Sequence, residues 1–513
     1  MSMRRPADAR PSRRSRPPPS PMPGRRRLPS SASRSGPEPR GAGVCAQRHA
    51  FLIILISTWV GILRRVARRL YARRRGRRRT TLGSASEGHM SRSRSLTTAV
   101  GVIAAGSLLL LAACAPEPGT GPEPTGSEGP GASPYTGPAV FVGDELDMLL
   151  LTPDEITELL PGSTEVGASS SVLQQISDGG GPSPEPAICA ALFAEQSLWT
   201  VGSRTVSWKV PDDAQRGAGS LSVLQFADED HAAKRMDQLR SAAEQCGTFD
   251  YNGEASFDAV LPDASENAQA YAGVLTFPEI EGGARTFSAV ASVGNVLVQI
   301  WQPVVGDTVI DGEAIAELLL WRAEDAHAAL IDELTANPPT EEEPASDASA
   351  PWSEWAVSVG GVGPVRLGDP IDDAVKAAAG AQALEPAFEQ GPWRVVNQDA
   401  SASMLIQPDE GGTVVTSITV GNDRTFDEAA QSGAFLPARG DVRVGDTVAE
   451  AIAAYPGGTT VTVASSGDDW YDVATRDGRL FRFHADRDVV DAGSLIIGIT
   501  VEDATTRREP VFG

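Results

Sequence analysis

The sequence predicts an α+β protein with two domains, each an antiparallel sheet with helices packed on it. Strand-like segments rich in β-branched and aromatic residues are separated by short turns, and Gly294-Asn295 is a tight hairpin signal. Two long amphipathic helices, one after Asp228 and one over 312–334, accompany these strands. A repeated segment in the last third of the chain indicates that the second domain is duplicated.

The 513 residues divide sharply by charge. Residues 1–89 hold 22 of the 44 Lys and Arg but only three of the 67 Asp and Glu, so residues 90–513 are strongly acidic. Because nucleic acids are bound through Lys and Arg, we expect no nucleic-acid partner. Apolar runs of about 18 residues or more are nearly absent, which excludes a polytopic membrane protein.

Residues 1–89 form a basic head that cannot bury a core. Arg, Pro, Ser and Gly dominate residues 1–49, a composition typical of disorder. The apolar run over 50–63 is too short to span a bilayer, and an Arg cluster over 64–79 follows it. We predict that the head is upstream read-through. The alternatives are a membrane-proximal basic anchor and an arm for nucleic acid.

Residues 90–113 have the organisation of a secretory signal peptide. A short basic start at Met90 is followed by an apolar stretch with four consecutive leucines and by small residues before Cys114. The ending Leu-Ala-Ala-Cys resembles the bacterial lipobox, whose Cys becomes residue one and carries lipid. The resemblance implies a diacylglyceryl group on Cys114, contact with membrane lipid, and a lipid-anchored location on the extracytoplasmic face of the cell membrane. The alternatives are a plain membrane helix and a signal peptide with an incidental Cys.

Two Pro-rich segments set the boundaries of the predicted domains. Residues 114–138 lack apolar periodicity and predict an extended tether, and residues 336–350 predict an acidic linker. The first domain is therefore predicted over 139–335 and the second over 351–513.

The cysteine count predicts one disulfide in the exported part. Cys45 lies in the basic head and Cys114 is assigned to lipid, which leaves Cys189 and Cys246. Two thiols in one exported domain usually pair. A redox pair would need closer spacing and a zinc site would need more ligands, so we predict a structural disulfide.

The first domain is predicted to open with a capped helix. Thr152 suits the N-cap, Pro153 the first helical position and Glu155 the capping box. Residues 164–186 are predicted as a loop, followed by a short helix around 187–194. The remaining predicted elements are, in order, strands 205–210 and 221–226, a helix from 229 to 246, strands 268–277, 285–293 and 296–302, and a helix over 312–334.

This layout resembles the PknH-like extracellular sensor domain of receptor kinases and lipoproteins. The resemblance rests on the opening Leu-Leu-Thr-Pro-Asp-Glu helix, a Cys near the second helix, a β-β-helix segment ending in a second Cys, paired strands and a long last helix. Many family members carry a second disulfide, for which this chain has no Cys. The resemblance implies a cleft-bearing domain for ligand sensing, with no catalytic residues to carry over.

The second domain contains an internal repeat at an offset of 77 residues, with copies over about 356–422 and 433–503. Each copy is predicted as a short extended stretch, a helix capped by Asp369 or Asp446, and three strands. The pattern resembles the helix-then-sheet repeats of β-lactamase-inhibitor-like and BamE-like exported proteins, which implies a protein-binding sheet face. The alternative is a duplicated structural spacer.

No residue pattern identifies a catalytic centre. The Gly-x-Ser-x-Gly, His-Glu-x-x-His and Walker-type motifs are absent. His231 and His327 are predicted on solvated helix faces, and a cation site near His484 has no loop repeat to support it. We therefore expect no catalytic residues, no metal and no cofactor.

The expected function is noncatalytic binding or sensing of a small ligand or an envelope protein by a lipid-anchored protein. One alternative is an envelope assembly or protein-inhibitor factor that acts through the duplicated domain. A second alternative is an envelope hydrolase with an unfamiliar site.

Overall fold

The structure is a computed structural model, and it describes residues 134–175, 183–194, 196–210, 217–277, 284–339, 347–378, 382–384, 386, 391–398, 400–424, 431–464 and 466–508. All of these described residues belong to one compact unit. The predicted basic head, the signal peptide and most of the tether, with Cys114, lie outside the described residues.

The described residues contain helices and antiparallel or mixed sheets, which confirms the predicted α+β class. The α-helices are α1 (Pro153–Leu159), α2 (Glu229–Gln245), α3 (Gly312–Ala336), α4 (Ile371–Ala377) and α5 (Val448–Ala454). Short 3₁₀ helices cover Gly143–Leu149, Ala187–Leu192, Ser197–Trp199, Trp352–Glu354, Gly433–Phe435 and Ala504–Thr506. The first strands are β1 (Val172–Gln175), β2 (Gly202–Lys209), β3 (Ala218–Gln225), β4 (Phe249–Asp250), β5 (Glu254–Val260), β6 (Ala268–Phe277), β7 (Ala284–Val293) and β8 (Val296–Pro303). The later strands are β9 (Val357–Ser358), β10 (Gly361–Val362), β11 (Val365–Arg366), β12 (Gln382–Leu384), β13 (Trp393–Val396), β14 (Ser403–Pro408), β15 (Val415–Gly421), β16 (Thr459–Val463), β17 (Asp469–Ala474), β18 (Arg479–Ala485) and β19 (Ile496–Asp503).

The first sheet is antiparallel, with the strand order β2-β3-β8-β7-β6-β5-β4. Successive side chains of a strand point to opposite faces, so both faces of this sheet are available for packing. Helix α3 covers one face, where Ile315 and Leu330 join a core that contains Phe287. Helix α2 covers the other face, where Met236 packs in a second core with Tyr271.

Local signals predicted most of this region correctly. Strand β6 has the predicted bounds, and Thr152 caps α1 by accepting a hydrogen bond from the Glu155 amide, while the Glu155 carboxylate accepts from the Thr152 amide at 2.7 Å. Three strands were missed. Strand β5 alternates polar and apolar residues and pairs with β6, and the two-residue β4 pairs with β5. The predicted loop over 164–186 contains β1.

The second sheet has nine strands in the order β1-β16-β17-β18-β19-β15-β14-β13-β12. Each repeat copy supplies one helix and four consecutive antiparallel strands, and the copies join where β15 pairs with β19. Helix α5 follows α4, and β16 follows β12, at the 77-residue offset read from the sequence. The helices and the inward side chains of both copies share one hydrophobic core.

Two details of the repeat differ from the sequence prediction. Each copy contributes four strands to this sheet rather than three, because the short outer strands β12 and β16 were missed, and β9, β10 and β11 of the first copy form a separate three-stranded sheet. The helix caps also lie one residue later than predicted. The N-caps are Pro370 and Thr447 rather than Asp369 and Asp446, and the Asp446 carboxylate instead accepts a hydrogen bond from the Arg443 amide at 2.7 Å.

Strand β1 and one buried arginine connect the two sheets. Strand β1 comes from the region of the first sheet but pairs in parallel with β16, at the edge of the second sheet. The Arg204 side chain is 5% exposed and donates to the carbonyls of Gly143 at 2.9 Å and Gly457 at 2.8 Å. The Ser203 amide also donates to Thr459 Oγ1 at 2.9 Å.

Two further arginines reach from the second sheet region to the first. Arg476 forms an ion pair with Glu145 and donates to the Val140 carbonyl at 2.5 Å. Arg507 donates to the Thr200 carbonyl at 3.1 Å. The segment from 140 to 145 is therefore held by both regions.

Candidate functional site

A cleft of about 280 Å³ lies at one end of the first sheet. The start of α2, the loop before β6, the β7–β8 turn and the middle of α3 form its walls. Most of its surface is polar, and the residues that line it are Glu229, Ala233, Ser265, Glu266, Asn267, Ala268, Gln269, Ser292, Val293, Gly294 and His327.

Backbone geometry fixes the β7–β8 turn at the floor of the cleft. Gly294 has a φ of +51°, and a side chain there would collide with the Ala139 carbonyl. Asn295 is fully buried, and its side chain accepts from the Phe141 amide at 2.7 Å and donates to the Phe226 carbonyl at 2.9 Å. The turn is thus tied to the segment that leads in from the tether.

Capping interactions fix the other walls. Asp228 caps α2 by accepting from the His231 amide at 2.9 Å, which sets the position of Glu229 in the first turn. Ser265 Oγ accepts from the Ala268 amide at 3.0 Å and closes the loop that leads into β6. The cleft is therefore formed by backbone positions that are already determined by hydrogen bonds.

The charged groups of the cleft are carboxylates. Glu229 is partly buried, and its Oε1 accepts a hydrogen bond from the Ala139 amide at 2.7 Å. Glu266 is exposed at the rim, and His327 is partly buried on α3. Among the described residues that line the cleft, none is Lys or Arg.

The structure corrects the expectation for two histidines. His327 lines the cleft rather than a freely solvated helix face. The His231 side chain is only 11% exposed, with Nδ1 2.6 Å from Asp228 Oδ1 and Nε2 3.3 Å from the Arg507 carbonyl oxygen. His231 therefore takes part in the contact between the two sheet regions.

The structure brings Cys189 and Cys246 together in a disulfide. Their Cα atoms are 5.8 Å apart, and both side chains are fully buried in the core beneath α2. Cys189 lies in the 3₁₀ helix Ala187–Leu192, and Cys246 is the C-cap of α2. The bond thus fastens the 3₁₀ helix to the end of α2. Cys114, the predicted lipid site, lies outside the described residues.

A second polar cluster lies on β17, β18 and β19. His484 Nε2 lies 2.8 Å from Thr500 Oγ1, and burial together with Arg482 and Arg424 lowers the pKa of His484 to about 3. Asp472 is 2% exposed and accepts two hydrogen bonds from Arg482, each 2.9 Å long. These polar groups satisfy one another, as a structural network does.

Glu502 and Arg507 form a charged pair whose arginine contacts the region of the first sheet. Burial raises the pKa of Glu502, but the Arg507 guanidinium outweighs this and lowers it to about 2. The two side chains are each 18% exposed, and Arg507 Nε lies 2.6 Å from Glu502 Oε1. This pair positions Arg507 for its contact with Thr200.

The described residues offer neither a metal-binding cluster nor a membrane-spanning helix. They contain no group of three or more His, Cys, Asp or Glu placed to hold a metal ion. No helix in the described part of the chain is long and apolar enough to cross a membrane.

Sequence reasoning did not identify the cleft. Its walls come from Glu229, from 265–269, from the β7–β8 turn and from His327, which are far apart in the chain. The one local signal was Gly294-Asn295, which predicted the turn but not what packs beside it.

Comparisons with known proteins found a weak structural similarity to a solved extracellular domain. No protein-family model matches the chain, and no curated protein matches it. Among solved structures, the extracellular domain of PknH from Mycobacterium tuberculosis matches with 14% identity and a TM-score of 0.25. The match covers 40% of this chain and all of that one.

Proposed function

We propose that the protein is a lipid-anchored binding protein on the extracytoplasmic face of the cell membrane, and that it holds a small polar ligand in the cleft of the first sheet. The observation that carries the proposal is the cleft itself. Ligand sites are concave and place a few polar groups around a preformed space. At about 280 Å³ the cleft is close to the lower end of the usual range for such sites.

The anchor part of the proposal rests on the sequence around Cys114. A lipid on this Cys would hold the folded region at the membrane surface, with the segment up to residue 133 as a spacer. The Cys189–Cys246 disulfide supports an oxidising compartment, because disulfides persist mainly outside the cytosol.

The experiment for the anchor is intact-mass measurement of the protein extracted from membranes. We expect a mature species that begins at Cys114 and carries acyl mass. Cys114→Ser should carry no acyl mass and should not yield a mature species that begins at residue 114. Acyl-free protein that begins upstream of Cys114 would show that the anchor assignment is wrong.

The experiment for the binding site is a thermal-shift screen of small polar metabolites against the wild type and a blocked variant. Ala233→Trp fills the cleft from an exposed position on α2, and Ala329→Trp places the same residue on an exposed position of α3 that does not line the cleft. We expect stabilisation of the wild type and of Ala329→Trp, but not of Ala233→Trp. Equal shifts in all three proteins would place binding elsewhere.

A second candidate function is binding of an envelope protein by the duplicated sheet. Strand β16 already accepts β1 along its edge, while its repeat counterpart β12 ends the sheet and has exposed residues. Sheet edges bind extended segments through main-chain hydrogen bonds. Amide hydrogen exchange at 382–384 should then be slower in membrane-associated protein than in purified protein, and equal exchange would count against this function.

A further inference from the structure

The cleft offers a ligand many hydrogen-bond acceptors and a negative charge. When they are ionised, Glu229 and Glu266 can accept hydrogen bonds but cannot donate them. Ser265 and Ser292 add hydroxyl oxygens. The amide groups of Asn267 and Gln269 can turn either way. A ligand rich in N–H donors therefore matches this surface better than one rich in acceptors.

Glu229 is held in place before any ligand arrives. The Ala139 amide donates to Oε1 at 2.7 Å, and the side chain projects from the first turn of a 17-residue helix, where negative charge is favoured. Ala139 is itself fixed, because Phe141 two residues later is bonded to Asn295. A positioned carboxylate loses little conformational freedom when it binds a cation.

Glu266 has no comparable structural role. It is exposed and lies in the loop that Ser265 closes by its own hydrogen bonds with Ala268. Its charge faces no Lys or Arg among the described residues that line the cleft. A cation in the cleft would therefore meet two carboxylates and, among the described lining residues, no Lys or Arg.

Other ligand classes fit this surface less well. A phosphate or carboxylate ligand would lie beside two like charges, which costs binding energy. Among the described lining residues none is Phe, Tyr or Trp, so the cleft offers no large aromatic face on which a ring could stack. The cleft would therefore select a ligand by its charge and its hydrogen-bonding groups.

We propose that the ligand of this cleft is a small organic cation that carries several N–H donors, such as an amine, a guanidinium compound or an amino sugar. The inference rests on the cleft being the binding site of the proposed function. It adds to that function the sign of the ligand's charge and the role of Glu229 and Glu266 in selecting it.

The test compares binding of matched probes by isothermal titration calorimetry. Glucosamine, N-acetylglucosamine and glucuronate share a sugar ring but are cationic, neutral and anionic, and agmatine and spermidine extend the cationic set. We expect the cations to bind and the neutral and anionic probes to bind at least tenfold more weakly. Raising the salt concentration should weaken binding of the cations.

Variants assign the selectivity to the cleft. Glu266→Gln keeps the shape of an exposed side chain and should weaken cation binding about tenfold or more, as expected for loss of a charged hydrogen bond. Glu229→Gln should have a similar effect, with its melting temperature measured because it also holds Ala139. Glu317→Gln, on an exposed position of α3 outside the cleft, is the matched control and should bind as the wild type does.

The outcomes separate this inference from the function on which it rests. If neutral or anionic probes bind equally well and Ala233→Trp abolishes that binding, the cleft is a ligand site but the charge preference is wrong. If the cations bind but Glu266→Gln has no effect, the assigned role of the carboxylates is wrong. If no cation binds, or if Ala233→Trp leaves cation binding unchanged, the inference is wrong.

Discussion

The first sheet lies between two long helices from its own region, whereas the second sheet is completed by a strand from elsewhere. Helices α2 and α3 cover the two faces of the first sheet, and a disulfide fastens α2 at its end. The second sheet has no disulfide among its described residues, and its β16 edge is covered by β1. The first region is thus held together internally, while the second depends on contacts supplied by the first.

The same contrast appears inside the duplication. In the second copy the outer strand β16 has five residues and packs against β1. In the first copy the equivalent strand β12 has three residues and ends the sheet. Two copies of one unit therefore differ where one of them meets the rest of the chain, because β16 is paired along both edges and β12 along one.

The largest expected effect comes from removing the disulfide that holds α2 in the region of the first sheet. Replacing both Cys189 and Cys246 by Ser should lower the free energy of unfolding by about 4 kcal/mol, because the bond closes a long loop. Chemical denaturation of the oxidised wild type and the double variant measures this difference. Hydrogen exchange should show the loss mainly in α2 and the first sheet. A difference below about 1 kcal/mol would contradict this prediction.

The next effect concerns the contact between the sheets. Arg204→Ala leaves the partly buried carbonyls of Gly143 and Gly457 without their donor, and should cost about 3 kcal/mol. Lys209→Ala removes an exposed ion pair with Glu165 from the same strand and should cost under about 1 kcal/mol. Denaturation of the two variants tests the contrast. Equal costs would show that Arg204 does not hold the sheets together.

A smaller effect concerns pH and the polar cluster of the second sheet. His484 has a pKa of about 3 in the folded protein, below the ordinary value of 6.5, so the unfolded chain binds more protons between these values. Stability should therefore fall as the pH drops from about 6.5 to 4.5. His484→Gln should remove about 1–2 kcal/mol of that fall.

The pH window separates His484 from its neighbour Glu502. The pKa of Glu502 is about 2 when folded, below its ordinary 4.5, so its contribution is present above pH 4.5 and is lost as the pH falls towards 2. Denaturation of the wild type and His484→Gln at pH 7, 5.5 and 4.5 isolates the histidine. His327→Gln is the control, and parallel curves for the wild type and His484→Gln would contradict the prediction.

The smallest expected effect compares the two copies of the repeat. Thr447 caps α5 with its hydroxyl, which accepts from the Glu450 amide at 3.2 Å, whereas Pro370 at the same place gives α4 no side-chain cap. Thr447→Ala should cost about 1 kcal/mol, and Thr447→Ser should retain most of the stability. Thermal denaturation distinguishes the two variants, and equal melting temperatures would show that the cap contributes little.

Local sequence signals predicted the parts of this fold that local physics determines. The α1 cap, strand β6 and the β7–β8 turn depend on residues near one another in the chain, and each was placed correctly. Strand β1 was predicted as a loop because its four residues form a strand only by pairing with β16, almost 300 residues later. The four residues of β1 carry no local pattern that would predict a strand or its distant partner.

The candidate site was beyond sequence reasoning for a related reason. In the sequence, Glu229 is an acidic residue in the first turn of a helix, and His327 is a polar residue on an amphipathic helix. Neither position by itself indicates a binding site. Their meeting around the β7–β8 turn follows from α2 and α3 lying on opposite faces of one sheet. That arrangement is known only when the strand order is known.

The position at which the chain enters the folded region has a mechanical consequence. Val140 is hydrogen-bonded to Arg476, and Gly143 is hydrogen-bonded to Arg204, so a pull on the preceding segment would load both sheets together. The force would be shared between the two sheets, so neither region would have to resist it alone.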